Sequence, residues 1–382
     1  YKLIILGISA FYHDSAACVI KDGAIMAAAQ EERFSRVKHD SSFPKQSIQY
    51  CLDFINANIE EVSYISYYEN PLLKFDRLIK TYLSFAPKGF NKFISSMQTW
   101  VIKKLWIKQY IRKQLKINIP ILFPEHHMSH AAGAFFPSSF DSSAFLTMDG
   151  VGEWTTLSYG VGSGNNINIM GELKFPHSLG LLYSAFTYYC GFRVNSGEYK
   201  LMGLAPYGSP IYKDLILDNI INLKDDGSFK LNMEYFDYCI GSVMTSNKFN
   251  KLFDRKRRDP ESDIAQLDMD LASSIQSVIE DIVLKIANHV KKETGNDNLC
   301  LSGGVALNCV ANGLLYKNGP FKRIWIQPAA GDAGSAIGAA MWVWHMVLNN
   351  DRKPINEFDR QLGSCLGPSF SSEQVKEFLD DN

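Results

Sequence analysis

Short apolar runs separated by polar loops open the chain. Leu3 to Ile8 is an uninterrupted apolar run typical of a buried strand, and it precedes the polar loop His13-Asp14-Ser15. Two further apolar runs, 16–20 and 24–29, flank an Asp-Gly pair that favours a hairpin turn. The pattern predicts three successive strands, with a polar loop between the first and the second.

The same plan recurs near the middle of the chain. An apolar run at 143–148 precedes the loop Asp149-Gly150-Val151-Gly152-Glu153, and apolar runs at 154–160 and 167–171 follow it. Two copies of one plan predict a duplicated α/β fold with two lobes, whose loops face each other across a cleft and can hold phosphate through backbone N–H groups. Two unrelated hairpins would give the same local pattern, so the runs alone leave both interpretations open.

The remaining periodic segments are helical. Residues 71–116 carry eleven Lys or Arg residues and one acid, Asp76. Such a segment can touch a membrane surface or an anionic ligand, but we favour an insertion that packs its apolar side on the first lobe while its lysines are solvated. Apolar residues at helical spacing predict a long core helix over 265–292. Two strand-to-helix junctions with glycines, in 299–308 and 323–334, allow backbone to approach a nucleotide closely.

Composition narrows the class of protein. The 382 residues are 46% hydrophobic and 21% charged, with a formal net charge of -1, so no overall charge favours nucleic acid. No apolar run reaches the roughly 18 residues of a membrane span. Seven cysteines lie far apart without a CxxC pair, and we interpret them as buried, reduced thiols. These features predict a cytoplasmic protein without a nucleic-acid or membrane partner.

The segment His126-His127-Met128-Ser129-His130 holds three of the eight histidines. His126 and His130 stand four residues apart in a segment with helical character, so a helix would place both imidazoles on one face. Side chains at that spacing can share one divalent metal ion at about 2.1 Å. His127 points elsewhere on the same helix and is interpreted as structural, while a purely structural role for the whole cluster is the alternative.

Two imidazoles need a third ligand to hold a metal ion well. Asp332, between Gly331 and Ala333 at a predicted helix start, is the best candidate, although capping that helix would explain it equally well. Two histidines and a carboxylate leave coordination positions open and suit Fe(II) or another first-row divalent ion.

Two further segments suggest contacts with a nucleotide. The glycines of the loop 149–153 can present amides to phosphate while Asp149 binds a magnesium ion or a substrate hydroxyl, although a plain turn is the alternative. The cations of 31–39 (EERFSRVKH) can neutralise an adenylate phosphate, and an ordinary solvated charge run would look the same.

Taken together, these motifs resemble the NodU-type O-carbamoyltransferases and, more distantly, the subunit that synthesises threonylcarbamoyladenosine in tRNA. The resemblance covers almost the whole chain in family order. The matching stretches are Gly7–Ala17, Glu31–Lys38, His126–Ala132, Met148–Trp154, Pro176–Tyr183, Gly197–Gly208, Leu301–Asn308 and Gln327–Gly338.

The resemblance implies an actin-like fold with a first lobe at 1–140, which includes the insertion 71–116, and a second lobe at 141–345. It also implies an iron-type site formed by His126, His130 and Asp332. Carbamoyl-adenylate would lie between the lobes, held by a set of residues from both halves. These residues are Lys38, Asp149, Gly150, Val151, Gly152, Glu153, Gly180, Gly303, Gly304 and Asn308.

In the family, a second domain that resembles the tRNA-modification protein YrdC makes carbamoyl-adenylate from carbamoyl phosphate and ATP. Residues 346–382 resemble the linker toward such a domain, so we expect this chain to perform only the transfer half. The expected activity moves the carbamoyl group to a hydroxyl of a small-molecule acceptor. In this hypothesis the metal ion polarises the donor while His13 removes the acceptor's proton. The sequence leaves homo-oligomers open.

Two other functions fit parts of the pattern. A sugar kinase-like phosphotransferase would use an aspartate base and magnesium and would not need the paired histidines. A non-catalytic, actin-like scaffold would bind ATP with structural histidines. A metalloprotease is less consistent, because the glutamate of H-E-x-x-H is missing.

Overall fold

A computed structural model describes residues 2–102, 104–353 and 359–381. Lys103 of the basic segment, and residues 354–358 and 382 of the predicted linker, lie outside the described residues. The first half forms a five-stranded sheet in the order β3-β2-β1-β4-β5. Its strands are β1 (Ile4–Ser9), β2 (Ala16–Lys21), β3 (Ala24–Gln30), β4 (Tyr64–Tyr67) and β5 (Ile121–Leu122). The pairs β1–β2 and β2–β3 are antiparallel, whereas β1–β4 and β4–β5 are parallel.

The second half repeats this sheet. Its strands, together with a small antiparallel pair β9–β10, are β6 (Ser142–Met148), β7 (Thr155–Ser163), β8 (Asn166–Lys174), β9 (Ile221–Leu223), β10 (Phe229–Leu231), β11 (Asn298–Ser302) and β12 (Arg323–Ile326). The order is β8-β7-β6-β11-β12. Again the pairs β6–β7 and β7–β8 are antiparallel, whereas β6–β11 and β11–β12 are parallel. The predicted duplicated α/β fold of the actin-like class is therefore confirmed.

Helices flank both sheets. In the first half they are α1 (Glu32–Ser35), α2 (Lys45–Phe54), α3 (Pro71–Phe85), α4 (Phe90–Ile102), α5 (Ile107–Leu115) and α6 (His126–Phe135). In the second half they are α7 (Leu179–Tyr189), α8 (Glu198–Leu204), α9 (Lys213–Asn219), α10 (Asn247–Leu252), α11 (Gln266–Thr294), α12 (Cys309–Asn318), α13 (Ser335–Trp342) and α14 (Ser372–Asp381). None of the helices in the described ranges is both long and apolar enough to cross a membrane.

The long helix α11 packs in the core of the second half, as its apolar spacing predicts. Ile275, Ile279 and Ile282 are almost fully buried on the side that faces the sheet. The helix ends at Gly295, whose φ of +64° lies in the left-handed region that glycine adopts without strain. Its N–H donates to the Lys291 carbonyl and satisfies one of the terminal acceptors.

Small residues bring α6 and α13 into direct backbone contact. A Cβ added at Gly338 would lie 1.8 Å from the carbonyl oxygen of Ser129, and one at Gly133 would lie 3.2 Å from the carbonyl oxygen of Gly334. Buried alanines fill the rest of the contact. Because His126 and His130 belong to α6 and Asp332 begins the 3-10 turn that leads into α13, this contact fixes the distance between them.

The basic segment differs from its favoured interpretation, in which its lysines are solvated. Lys74 is buried, and its Nζ lies 2.5 Å from a carboxylate oxygen of buried Glu69. Arg77 donates to the Gly152 carbonyl in the second half. These two cations lie on the inner side of α3, where β4 ends at the cleft. Meanwhile Leu83 and Phe90 are exposed, so the apolar side of the segment is only partly packed.

The cysteines also differ in part from expectation. All seven are unpaired, but Cys309 and Cys365 are exposed rather than buried. Cys309 occupies the first position of α12, where the helix has not yet entered the core.

We expect Gly338→Ala to destabilise the protein and Gly313→Ala to stabilise it. The first adds a methyl group against backbone atoms that cannot move aside, which should cost about 3 kcal/mol of unfolding free energy. Gly313 lies in α12 with nothing within 4 Å of an added Cβ, so alanine should gain up to about 1 kcal/mol there. Urea titration of both variants measures the effect, and equal stability of the two would contradict the close contact of α6 and α13.

Candidate metal centre

Four side chains from three segments converge at one end of the two sheets. His126 begins α6, and His130 follows one turn later. Asp149 follows β6 directly, and Asp332 starts the 3-10 turn before α13. Each residue offers one ligand atom, an imidazole nitrogen or a carboxylate oxygen, and these four atoms all lie within 4.8 Å of one another. The structure thus brings together the three residues predicted as metal ligands and adds Asp149.

The spacing of the donor atoms suits one ion. Nε2 of His126 lies 3.0 Å from Nε2 of His130 and 3.0 Å from a carboxylate oxygen of Asp149. An oxygen of Asp332 lies 3.6 Å and 3.9 Å from the same two nitrogens. Two ligands about 2.1 Å from one ion are separated by about 3.0 Å at a right angle and about 4.2 Å when opposite. The residues present therefore fit a divalent metal ion.

Hydrogen bonds orient the second imidazole. Nδ1 of His130 lies 3.2 Å from the hydroxyl oxygens of Ser302 and Ser335, which can accept its N–H. Nε2 then keeps its lone pair, which points at the cluster. Burial lowers the pKa of His130 far below its ordinary value, so this imidazole is neutral and ready to act as a ligand.

The imidazole of His126, unlike that of His130, favours the protonated form. Burial lowers the pKa of His126, but the carboxylates of Asp332 and Asp149 overcome this and raise it to about 9. The same contact holds the pKa of Asp149 well below its usual range despite burial. A proton on His126 and a metal cation are thus alternative ways to neutralise the two buried carboxylates.

His127 faces away from the cluster. Its Nδ1 lies 2.7 Å from the hydroxyl oxygen of Thr147 on β6. Burial and the neighbouring charge of His126 lower its pKa to about 3. The sequence interpretation of His127 as a structural residue agrees with this position.

A cavity of about 270 Å³ is lined by both halves of the chain, and its lining includes two of the four donors, Asp149 and Asp332. It contains most of the predicted site residues: His13, Asp149, Gly150, Val151, Gly180, Gly304, Asn308 and Asp332. The N–H groups of Gly150 and Val151 donate to no protein acceptor within the described part of the chain. This loop therefore offers two free donors to an anionic ligand in the cavity.

Four predicted contacts, Lys38, Gly152, Glu153 and Gly303, do not line the cavity. Lys38 is exposed, with Nζ 5.3 Å from the centre of the Tyr199 ring at the rim. Glu153 is buried and accepts hydrogen bonds from the backbone N–H groups of His126 and Asn70, because it caps the start of α6.

The two glycines of this group serve close packing. A Cβ at Gly152 would lie 3.0 Å from the side chain of His126. Gly303 has a φ of +91°, and a Cβ there would lie 2.2 Å from the carbonyl oxygen of Met148. Only glycine fits these positions without displacing the metal centre or the end of β6.

His13 enters the cavity from the first half. Nδ1 of His13 lies 2.8 Å from one oxygen of Asp14, and Nε2 lies 3.8 Å from Asp332. Burial opposes its protonation, but the carboxylates of Asp332 and Asp14 raise its pKa to about 9. The other oxygen of Asp14 lies 2.8 Å from Nδ1 of His39.

Sequence reasoning missed this His13–Asp14–His39 chain and the second donor group Asp14, Glu32 and His39. The motifs H-D and E-R-F-S-R-V-K-H were noticed, but nothing local indicates that they meet. Asp149 was likewise assigned to a nucleotide and not to the histidine site. The parallel pairing of β6 with the Ser302 strand brings Asp149 to the histidines, and no local pattern in the sequence indicates that pairing.

Comparison with known proteins gives a consistent result. A family model described as "Carbamoyltransferase N-terminus" matches residues 4–341. "Uncharacterized protein sll1178" of Synechocystis sp. is 58% identical over 383 residues, which covers 98% of this chain and 62% of that protein. "Nodulation protein NolNO" of Sinorhizobium fredii is 33% identical over 370 residues, 96% of this chain and 51% of that protein. The chain thus spans between half and two thirds of the length of these two curated relatives.

One of the similar solved structures is component A of the (R)-2-hydroxyglutaryl-CoA dehydratase of Acidaminococcus fermentans. It has 14% sequence identity and a TM-score of 0.42, with 89% of this chain and 97% of that chain covered.

We expect divalent metal ions to bind more tightly as the pH rises from 6 to 9. Below a pKa of about 9 the ion must displace the proton of His126, so affinity should rise by up to about tenfold per pH unit. Calorimetric titration with Zn²⁺ in two buffers of different ionisation enthalpy measures both the affinity and the proton release. An affinity that does not vary with pH would contradict the competition.

The double variant His126→Ala/His130→Ala should lose stoichiometric metal in elemental analysis. The matched control His177→Ala/His289→Ala removes two histidines outside the centre and should keep it. Full metal content in the first variant would refute the site.

Proposed function

Since the chain belongs to the carbamoyltransferase family, matching its N-terminal domain, we propose that it transfers a carbamoyl group from carbamoyl-adenylate to a hydroxyl of a small-molecule acceptor. The observation that carries the proposal is the group of two imidazoles and two carboxylates, of which the carboxylates line a cavity that also offers free backbone donors. A kinase-like site would need magnesium ligands and hydrogen-bond donors to phosphate. It would not need two buried imidazoles whose nitrogens converge.

In this proposal His126, His130, Asp149 and Asp332 hold Fe(II) or another first-row divalent ion. Such an ion supplies a Lewis acid that polarises the carbamoyl carbonyl or the adenylate phosphate. Two imidazoles with two carboxylates are donors that this class of ion accepts. Asp149 and Asp332 line the cavity, so a carbamoyl donor bound there would lie beside such an ion.

The chain's own residues would bind the adenylate. The free N–H groups of Gly150 and Val151 face the cavity and suit phosphate oxygens. Gly180, near the start of α7, lies against this loop, since a Cβ there would be 2.7 Å from the Asp149 carbonyl oxygen. That close approach adds the positive end of a helix to the same place. Lys38, at the rim of the cavity, would offset part of the negative charge of the phosphate.

His13 is the proposed proton acceptor for the hydroxyl of the acceptor. Its Nδ1 lies against Asp14, which accepts that N–H and turns Nε2 toward the cavity. The pKa of about 9 in the metal-free protein comes from nearby carboxylate charge. Neutralisation of Asp332 by a cation would remove part of that effect, so the pKa of His13 falls toward the range of a general base.

A second active site is the proposed source of the donor. We propose that a YrdC-like domain makes carbamoyl-adenylate from carbamoyl phosphate and ATP, and that this chain corresponds to the transfer part. The support is that two curated relatives extend well beyond the region that matches this chain. The chain covers 62% of the length of one relative and 51% of the other. Both substrates are cytoplasmic metabolites, so we propose a cytoplasmic location.

The variant His13→Asn should lose at least about a hundredfold in transfer rate while it keeps its metal, because a general base contributes about 10² to 10⁴ in rate. The assay supplies carbamoyl-adenylate to the metal-loaded chain with a panel of hydroxyl compounds, and mass spectrometry detects acceptors that gain a carbamoyl group. His289→Asn, outside the cavity, is the matched control.

Undiminished transfer by His13→Asn would refute the role of His13 alone. Acceptors that gain phosphate from ATP instead of a carbamoyl group would refute the proposed reaction and favour a phosphotransferase.

A further inference from the structure

A second cavity, of about 640 Å³, lies in the second half of the chain, outside the metal centre. It is formed by the end of α7, the segment that leads into α8, and the loops around 242–244 and 257–264. We call it the basic cavity, because four cations line it: Arg193, Lys200, Arg257 and Arg258. We call the cavity of about 270 Å³ beside the metal centre the central cavity. None of the residues that line the basic cavity also lines the central cavity.

The charge of the basic cavity is largely uncompensated. Glu261 is the one carboxylate in its lining, so four cations and one anion leave a net charge of +3. Among the described residues, Arg193, Lys200 and Arg257 form no ion pair within 4.0 Å. Only Arg258 is near a carboxylate, 4.0 Å from Asp268, which it shares with Arg255. Clustered cations repel one another, so a site of this kind is stabilised by a bound anion.

Two of the guanidinium groups are held rigidly. Arg257 lies 3.9 Å above the centre of the Tyr188 ring, and its Nε donates to the Tyr188 carbonyl. Arg258 lies 5.1 Å from the centre of the Phe192 ring and donates to the Cys190 carbonyl. Arginines fixed in this way lose little further freedom when they bind an oxyanion, and their planar groups suit phosphate.

The basic cavity and the central cavity share one wall. In the segment between α7 and α8, Arg193 and Val194 line the basic cavity, whereas Asn195 and Ser196 line the central one. On α8, Lys200 faces the basic cavity and its neighbour Tyr199 the central one. A phosphate group in the basic cavity therefore lies behind the wall of the central cavity that this segment forms.

We propose that the basic cavity is a second binding site, specific for a small phosphate-bearing molecule. Its volume is that of a small-ligand pocket, whereas a nucleic acid requires an extended basic surface. The fixed guanidinium groups and the flanking rings favour a compact oxyanion over a flexible acidic peptide. The site is independent of the carbamoyl-transfer proposal, because it uses none of the metal-centre residues.

Calorimetric titration with pyrophosphate tests the site. Arg193→Gln/Lys200→Gln removes two exposed cations without a backbone partner, so the fold should tolerate it, and pyrophosphate should bind about tenfold or more weakly. The control Lys224→Gln/Lys317→Gln makes the same change in net charge at exposed positions outside both cavities and should bind as the native protein does. Glu261→Gln removes the one lining carboxylate and should tighten binding severalfold.

Four results would overturn the proposal. Pyrophosphate that fails to bind the native protein would exclude the site. An unchanged affinity in Arg193→Gln/Lys200→Gln would mean that the anion binds elsewhere, for example in the central cavity. An equal loss of affinity in the control variant would mean that net charge alone governs binding. Tighter binding of a polyglutamate peptide than of pyrophosphate would assign the cavity to an acidic protein segment instead.

Discussion

The carboxylate of Asp149 joins three parts of the molecule at one point. One oxygen accepts the N–H of Gly304 at the end of the β11 strand, and the other meets Nε2 of His126 on α6, both at 3.0 Å. Asp149 itself directly follows β6, which pairs in parallel with β11. A buried carboxylate is costly unless a cation or N–H groups surround it. The centre therefore needs a positive charge beside Asp149 and Asp332, as a proton on His126 or as a metal ion.

The surrounding residues keep this buried anion in place. Glu153 accepts the N–H groups at the start of α6 and at Asn70, and so ties the histidine helix to the start of α3. Arg77, on α3, donates to the Gly152 carbonyl in the same loop. The basic segment is thus joined to the metal centre through its buried cations, although many of its other cations face solvent. Its contribution to the site is support for the loop of Asp149.

The sequence predicts local features of this molecule well and long-range contacts poorly. Apolar runs located β1 to β3 and the five strands of the second sheet, because a buried strand leaves a continuous apolar signal, whereas β4 and β5 were not predicted. The i, i+4 spacing placed His126 and His130 on one helix face. Asp332 was the best candidate for a third ligand from its position at a predicted helix start, with helix capping an equal alternative, and the family resemblance implied the same ligand set. The meeting of Asp149 with the histidines, and the pairing of Lys74 with Glu69, depend on how strand ends and helices are arranged in space, which no local pattern records.

The contact between Gly133 and Gly338 joins the same element of the two halves. In each half, a helix follows the last parallel strand, α6 after β5 and α13 after β12, and these equivalent helices meet at glycines. The loops that follow the first strand of each sheet differ, since one presents His13 and the other Asp149. The candidate site is therefore asymmetric, although the pair of helices that supports it is a repeated element of the fold.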